Sequence, residues 1–545
     1  MAWVLALAVA AFITTLAAKD FILDDRLLIV DHFLLEHWRS LPELLLSGYW
    51  EGAQGSAATV AQLRPATMLS HFLARQIFGL WAPGHHALNV ALHAVNAGLL
   101  FRLAERERGR GFALACAGLF AVLPAHSEAV GWISGRSELL AACFFLGSWL
   151  ALDREDASAG RGAALFALAL LSKEHALALP ALLWLKDRSS SRRWRDRAAL
   201  YGWLAAVAAA YIAARLLILD RPFHGGADYF AGLSALVRWL TMARFALRYY
   251  AWPLVSGGGL REDFSRPFFP DASVSDPLAW LSLAILLGLA VWSVLLLRRR
   301  RFLGFALAAS ALLMLPVSHL VVHLDRVGAQ RFLYLPSTLF CAGLAWGLQR
   351  LEPRWSRAAL LVLLGYYLVL TTRHNAVWGS ERAYFESAVA QNPVSAGAHN
   401  GLGLARLSEG RRDEALALFR RSAALDEAYP QAHYNLGRMA FDEGRLAAAR
   451  AHLGEALRRA PHDSDTLVML ALIDERQGRL PEAEAGYRRA LELRPWDGRA
   501  HFNLGRLLWA QGRRQPAAEH LERFLRLSPR DPDAPAIAAL LRRDS

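Results

Sequence analysis

Two adjacent carboxylates, Asp24 and Asp25, stand in the stretch FILDDRLLIVDH, directly after the apolar run MAWVLALAVAAFITTLAA. Charges at a membrane edge are costly to keep there and generally mark function. Further groups of the same kind follow along the chain. Arg64 precedes Pro65, PAHSEAVGWISGRSE carries His126, Glu128 and Arg136, LLSKEH carries Lys173 and Glu174, and HLDRVGAQRFLYLP carries Asp325, Arg326, Arg331 and Tyr334. Cations of this type hold phosphate oxygens through charge-assisted hydrogen bonds, and a neighbouring carboxylate can take a proton from an attacking hydroxyl. Such a collection at one membrane face suits a reaction on a lipid-linked phosphate. Two like charges side by side also raise one of the two pKa values, although the sequence does not say whether Asp24 or Asp25 is affected.

The competing readings are simpler chemistry. A lone Arg or Lys at a membrane edge can merely snorkel to the interface, and an Asp pair can merely end a helix in water. His86, Asn89, His93 and Asn96 recur at helical spacing on one face, where polar side chains typically hydrogen-bond neighbouring helices. His86 and His93 lie two turns apart with no obvious third ligand, so no metal site is expected.

The elements that must position these residues follow from composition. The 545-residue chain exceeds one domain, and a mean hydropathy of +0.22 with 20% charged residues fits an apolar half joined to a soluble half. A net charge of +13 would suit nucleic acid, but many of the arginines cluster between apolar runs, as positive-inside topology requires. No nucleic-acid partner is therefore expected. Cys116, Cys143 and Cys341 sit in apolar runs without metal-ligand spacing and imply no disulfide framework. The first apolar run lacks a basic leader and is followed by more apolar runs, which favours an uncleaved helix over a signal peptide.

Apolar runs occupy residues 1–18, 86–103, 111–124, 138–152, 199–219, 277–297, 302–322, 332–348 and 358–372. The run 163–185 is interrupted by Ser172, Lys173, Glu174 and His175. Basic clusters at 102–110, 186–197, 298–301 and 350–357 mark the inner side and flank that run at its C-terminal end, with Arg154 and Arg161 agreeing at its start. The run must therefore go out and return as two helices, with Lys173 and Glu174 outside. The expectation is about eleven spans, an inner N-terminus, and outer placement for 19–85, 124–137, 220–276, 323–331 and everything after 372. Residues 235–255, with Arg238, Arg244 and Arg248, read as an interfacial amphipathic helix.

Past residue 372 a different rule governs the chain. Ala398, His399, Asn400, Gly401, Leu402 and Gly403 recur as Ala432, His433, Tyr434, Asn435, Leu436 and Gly437, and again as Ala500, His501, Phe502, Asn503, Leu504 and Gly505. A degenerate copy at Thr466 to Ala471 keeps the register, so the period is 34 residues. Gly410, Gly444, Gly478 and Gly512 mark inter-helix turns, and Pro393, Pro461, Pro495 and Pro529 close units. This pattern resembles the tetratricopeptide repeat (TPR), with about four units over 395–545. Stacked repeats of this kind leave a groove that usually holds peptide or protein; the competing reading is that they only stiffen or dimerise the chain. The expected domains are 1–372 as a membrane domain with a large outer loop at 19–85, 373–394 as linker or first helix, and 395–545 as repeats.

Taken in order, Asp24 and Asp25, Arg64 and Pro65, the His86 to Asn96 helix, His126 to Val130 with Gly135 and Arg136, Leu171 to Glu174, and Arg331 to Pro336 resemble the transmembrane and TPR repeat-containing O-mannosyltransferases. Each motif alone is weak, but six in order ahead of the repeats make a specific match over nearly the whole chain. The resemblance implies an all-α protein with a polytopic membrane GT-C glycosyltransferase fold and a C-terminal TPR solenoid. It implies transfer of mannose or another hexose from a polyprenyl phosphate to an acceptor hydroxyl, Ser or Thr of a protein, with inversion and loss of polyprenyl phosphate. Asp25 or Asp24 would be the base, and Lys173, Arg136 and Arg331, with Arg326, would hold the leaving phosphate. Glu128 would pair with an arginine or touch sugar hydroxyls, while Arg64, His126, Glu174, Asp325 and Tyr334 complete the substrate-binding set. No metal or cofactor is expected, since the lipid-linked sugar is itself a substrate.

Arginine and alanine richness points to a bacterium, hence to undecaprenyl phosphate, the inner membrane and periplasmic repeats that bind the protein acceptor. One alternative is an O-antigen ligase or polymerase acting on a lipid diphosphate, which would rely on a large late outer loop; here the first loop is the longest. Another is a non-catalytic TPR membrane scaffold, in which alanine at Asp24 and Asp25 would be silent. A transporter fits least, because the charges gather on one face.

Overall fold

The computed structural model describes residues 1–50, 62–153, 159–190, 194–219, 230, 232–262, 269–319, 327–426 and 429–544. Every described element is helical. The chain divides into two units, one comprising Met1–Arg26, Leu35–Glu51 and Thr59–Tyr384, the other Phe385–Ser545 together with Leu27–Leu34 and Gly52–Ala58.

In the first unit each apolar run forms helix. Four helices among the described residues, Ala82–Ala121, Arg195–Ile218, Pro277–Arg298 and Pro353–Gly379, are long and apolar enough to cross a membrane, and a fifth counts if the bent pair Pro124–Gly131 and Ile133–Leu152 is one span. The helices Ala2–Ala17, Ala159–Ser172, Phe302–Val317 and Ser337–Leu348 are apolar but shorter. At about 1.5 Å of rise per residue they fall short of a hydrocarbon layer about 30 Å thick. By length and composition four or five helices among the described residues could each cross on their own; the eleven suggested by the sequence also take in the shorter apolar helices and count the stretches before and after the break at Arg108 and Gly109 separately.

The outer faces are what a lipid environment selects: Leu278, Leu281, Ile285, Leu289 and Trp292 on Pro277–Arg298 are exposed. Arg108 and Gly109 break the helix Ala82–Ala121, with Gly109 at φ 77°, inside the basic cluster 102–110. The charged run 163–185 is two helices, Ala159–Ser172 and Leu179–Ser189, parted by extended backbone at Lys173 and the short helix Glu174–Ala178. Residues 235–256 form helix with a π-helical turn at Ala246–Ala251.

The bent pair carries the polar stretch 124–137 into the interior. Its two arms meet at 103°, and every residue from 121 to 139 is buried. Carbonyl groups freed at such a bend need donors. The Asn89 side-chain amide supplies them, reaching the carbonyls of Trp132 at 3.0 Å, Ile133 at 3.3 Å and Val130 at 3.4 Å. Gly135 is required by close approach: a Cβ there would lie 2.5 Å from the Ala129 carbonyl oxygen.

The second unit repeats one motif. The helix pairs Ala396–Ser408 with Arg412–Leu425, Pro430–Asp442 with Leu446–Arg459, Ser464–Arg476 with Leu480–Leu493, and Gly498–Ala510 with Arg514–Leu527 follow in order. Gly410, Gly444, Gly478 and Gly512 turn between them at φ 73–77°, where a side chain would be strained. Ala415, Ala449, Ala483 and Ala517 are fully buried where paired helices meet. At Gly403, Gly437 and Gly505 an added Cβ would run into Phe419, Leu453 and Leu521. The period in the sequence is thus a packing period.

Candidate active site

Asp25 follows the first helix and the short 3-10 turn Ile13–Ala17, and its backbone N–H donates to the Ile22 carbonyl at 3.0 Å. It is fully buried. One carboxylate oxygen accepts from the Ser134 backbone N–H at 2.7 Å and from the Ser134 hydroxyl at 2.5 Å, so the bent segment holds it in place. The other oxygen is buried without a hydrogen-bond partner. Burial pushes the Asp25 carboxyl up to about 7; the two Ser134 bonds work against the rise and the Asp24 charge adds to it. Asp24 is half-buried and its charge is felt by Arg331 and Tyr49 as well as by Asp25. The environment therefore distinguishes two residues that the sequence leaves equivalent.

Three cations meet three carboxylates nearby. Arg64 donates to Glu174 through Nε at 3.2 Å and Nη2 at 2.8 Å, a two-point grip. The helix that starts after Arg64 is anchored at the same place, since Thr67 Oγ1 donates to the Ser172 carbonyl at 3.0 Å. Lys173 pairs with buried Glu138, whose other oxygen lies 3.7 Å from His175 Nε2. Arg331 pairs with Glu128, which also accepts the Arg331 backbone N–H at 2.9 Å. The charges of Arg64, Lys173 and Arg331 act on one another's surroundings, and the Glu138 carboxylate is felt by both arginines. Burial alone would raise the Glu174 carboxyl, but the Arg64 charge and its hydrogen bonds outweigh that and hold it well below the usual carboxylate range.

Aromatic rings floor the cluster. Arg64 lies 5.2 Å over Tyr49, Lys173 5.3 Å over Phe332, and Arg331 5.0 Å over Trp132. Trp132 packs with Ile22 and Leu23, immediately before Asp24, so the Arg331 end of the cluster borders the Asp pair.

Other expected residues take supporting places. Arg136 is fully buried, and its guanidinium donates to Asn89 Oδ1 at 2.9 Å, the His85 carbonyl at 3.0 Å and the Ser70 carbonyl at 3.4 Å, and meets His71 Nδ1 at 3.2 Å. All four of these contacts are to the protein itself, where the sequence suggests a phosphate contact. It also interacts electrostatically with Asp25. His126 and Tyr334 join a separate buried network: His126 Nε2 meets Ser337 Oγ at 2.7 Å, and the Tyr334 hydroxyl meets His93 Nδ1 at 2.8 Å and Asn96 Nδ2 at 3.1 Å. Asn96 also donates to the Leu139 carbonyl, next to Glu138, at 3.0 Å. The polar helix face from His86 thus braces the segments that carry Glu138 and Arg331. Asp325 and Arg326 lie outside the described residues.

Ser134, Glu138 and Tyr49 were given no role by sequence reasoning. Ser134 and Glu138 had a weak signal in the polar stretch 124–138; Tyr49, one aromatic in a long loop, had none. Among the described residues no group of three or more His, Cys, Asp or Glu side chains is arranged to hold a metal ion.

Comparison with known proteins bears on both units. Residues 381–430 and 468–532 match one tetratricopeptide repeat model, and 406–465 and 440–489 match another. A protein O-mannosyl-transferase of Caenorhabditis elegans is 24% identical over 426 residues, covering 76% of this chain and 61% of that protein. The Drosophila melanogaster protein O-mannosyl-transferase Tmtc1 is 28% identical over 542 residues, covering 79% and 62%. The Homo sapiens protein O-mannosyl-transferase TMTC4 is 27% identical over 472 residues, covering 73% and 63%. Repeats occupy under a third of the chain, so alignments of this reach include much of the apolar half. The chain spans 61% to 63% of the length of these relatives. Among solved structures, the crystal structure of MamA is similar over 28% of this chain and 89% of its own, at 22% identity and a TM-score of 0.24, too slight a likeness to carry an argument. The chain thus carries TPR repeats and membrane-length apolar helices, and is similar to protein O-mannosyl-transferases.

Proposed function

We propose that this chain is a membrane glycosyltransferase of GT-C type that moves mannose or another hexose from a polyprenyl phosphate to a Ser or Thr hydroxyl of a protein. The observation that carries the reading is Asp25: a buried carboxylate with one oxygen fixed by Ser134 and the other without a partner among the described residues, next to Asp24, whose charge also reaches Arg331. Its raised proton affinity makes it a general base matched to neutral pH, and its partnerless oxygen is the one that would take the acceptor proton. Asp24 tunes that affinity by its charge. The acceptor oxygen then attacks the anomeric carbon in line, the anomeric configuration inverts, and the bond to the phosphate oxygen breaks. Arg64, Lys173 and Arg331 offset the charge that builds on the departing lipid phosphate. Arg136, His126 and Tyr334 support these groups from the protein side.

The reaction takes place on the outer, periplasmic face of a bacterial inner membrane, with eleven helical passes and the repeats on the same side, where they bind the acceptor protein. Support comes from the similarity to three named protein O-mannosyl-transferases and from the convergence of residues distant in sequence on one buried cluster. The test is transfer from undecaprenyl-phosphate mannose to periplasmic proteins by purified wild type, Asp25→Asn and Asp24→Asn. The reading predicts loss of transfer in Asp25→Asn and reduced transfer in Asp24→Asn. Undiminished transfer in both would remove the base.

A further inference from the structure

The three ion pairs pose a problem for any phosphate ligand. Arg64 is matched by Glu174, Lys173 by Glu138 and Arg331 by Glu128, so each cation is already neutralised by a carboxylate. A phosphate anion approaching such a set meets as much repulsion as attraction unless one carboxylate withdraws. The three differ in how readily they can do so. Glu138 has a side-chain exposure of 2% and also faces His175, and Glu128 has 10% and holds the Arg331 backbone N–H as well as its guanidinium. Glu174 is 37% exposed, while the Arg64 side chain beneath it is 9% exposed. Among the described residues its carboxylate accepts from no other side chain than Arg64. It stands at the start of a short helical turn, just after the extended backbone of Lys173, so rotation of its side chain disturbs no helix.

We propose that the Glu174 carboxylate is a stand-in for the donor phosphate: it occupies the Arg64 fork until a lipid-linked monophosphate displaces it into water. Two carboxylate oxygens and two phosphate oxygens present the same footprint to a guanidinium, so Nε and Nη2 can exchange one for the other without moving. Releasing a half-exposed carboxylate to water costs little desolvation, whereas releasing Glu138 or Glu128 would strand a buried charge. Once Glu174 swings out, the fork regains a net positive charge flanked by Lys173 and Arg331. The pair therefore discourages weak anions and admits a ligand that binds the fork better than a carboxylate does. This inference rests on the reading of the cluster as the donor phosphate seat.

The test uses the full-length protein in lipid nanodiscs, with undecaprenyl phosphate as probe, for wild type, Glu174→Gln and Arg64→Ala. Glu174→Gln is expected to bind the probe about tenfold more tightly and Arg64→Ala at least about tenfold more weakly. In transfer assays Glu174→Gln should lower KM for the lipid-linked sugar more than it changes kcat. Unchanged or weakened binding by Glu174→Gln, with Arg64→Ala also weakened, would show that Glu174 merely positions Arg64 and would overturn the proposal. Unchanged binding in Arg64→Ala would overturn it too, by removing the seat. If the binding results hold but wild type transfers no sugar, the displacement stands and the assigned reaction falls. A structure of wild type with the probe bound gives an independent reading that needs no variant to fold: phosphate oxygens in the Arg64 fork with Glu174 released support displacement, and an intact Arg64 to Glu174 grip with the phosphate elsewhere contradicts it.

Discussion

Charges are used in opposite ways in the two halves of this molecule. In the repeats, most ion pairs join residues within one unit or its neighbour on half-exposed faces, such as Arg488 with Glu484 at 2.9 Å and Arg506 with Glu475 at 2.7 Å, the exception being Arg494, buried against Asp465 and Asp497. In the apolar half they join Arg64 with Glu174 and Arg331 with Glu128, residues 110 and 203 positions apart, with the arginines largely buried. Surface pairs of the first kind gain little over water. Buried pairs of the second kind are costly to form and more costly to break. The repeats owe their fold to apolar packing at a fixed period, whereas the apolar half retains expensive charges whose value lies in chemistry.

That contrast predicts a descending series of effects. The largest falls on Asp25. Asp25→Asn is expected to lower sugar transfer by about 10²-fold or more, yet to raise the thermal midpoint. The folded state binds the Asp25 proton more tightly than the unfolded chain, so this carboxyl's contribution to stability falls as pH rises from about 4 to about 7 and is fully lost above that. The gain in midpoint from Asn should therefore be larger at pH 8 than at pH 5, as scanning fluorimetry would record. A midpoint that drops with activity would make Asp25 a structural residue instead.

Glu128→Gln comes next. It leaves the Arg331 guanidinium without its counter-charge and should destabilise the apolar half by about 3 kcal/mol, measured as earlier unfolding. In the repeats, Gly437→Leu forces a side chain into Leu453, which already lies 2.6 Å from an ideal Cβ. It should cost about 1–3 kcal/mol and lower helical signal on mild heating while undocked transfer to a short soluble peptide persists. The smallest effect belongs to Arg488→Ala, expected to change stability by about 0.5 kcal/mol or less; a larger loss would erase the distinction between the halves.

What the sequence made legible follows the same division. Repeat boundaries were readable because packing recurs every 34 residues and leaves Gly410, Gly444, Gly478 and Gly512 at each turn. The helix break at Lys173 was readable because four polar residues interrupt an apolar run between basic flanks. The pairing of Glu128 with Arg331 was open as one of two roles and is the one observed. Less legible was anything set by three-dimensional approach. Asp24 and Asp25 are chemically identical in sequence, and only the bend that brings Ser134 to Asp25 separates them. Arg136 reads like Lys173 or Arg331, yet Asn89, His71 and the carbonyls of Ser70 and His85 enclose it. Glu138 was hidden because its partner Lys173 lies 35 residues away, in the extended stretch between two other helices.

The most direct measurement of the central claim is the pH dependence of kcat/KM for sugar transfer. A base must be ionised to act, and Asp25 is ionised only above its raised value, so transfer should rise through a single-proton step near pH 7. Asp24→Asn, which removes a neighbouring negative charge, should shift that step to lower pH. A wild-type profile that is already flat from pH 5 upward, or a step that stays in place in Asp24→Asn and survives in Asp25→Asn, would contradict Asp25 as the base.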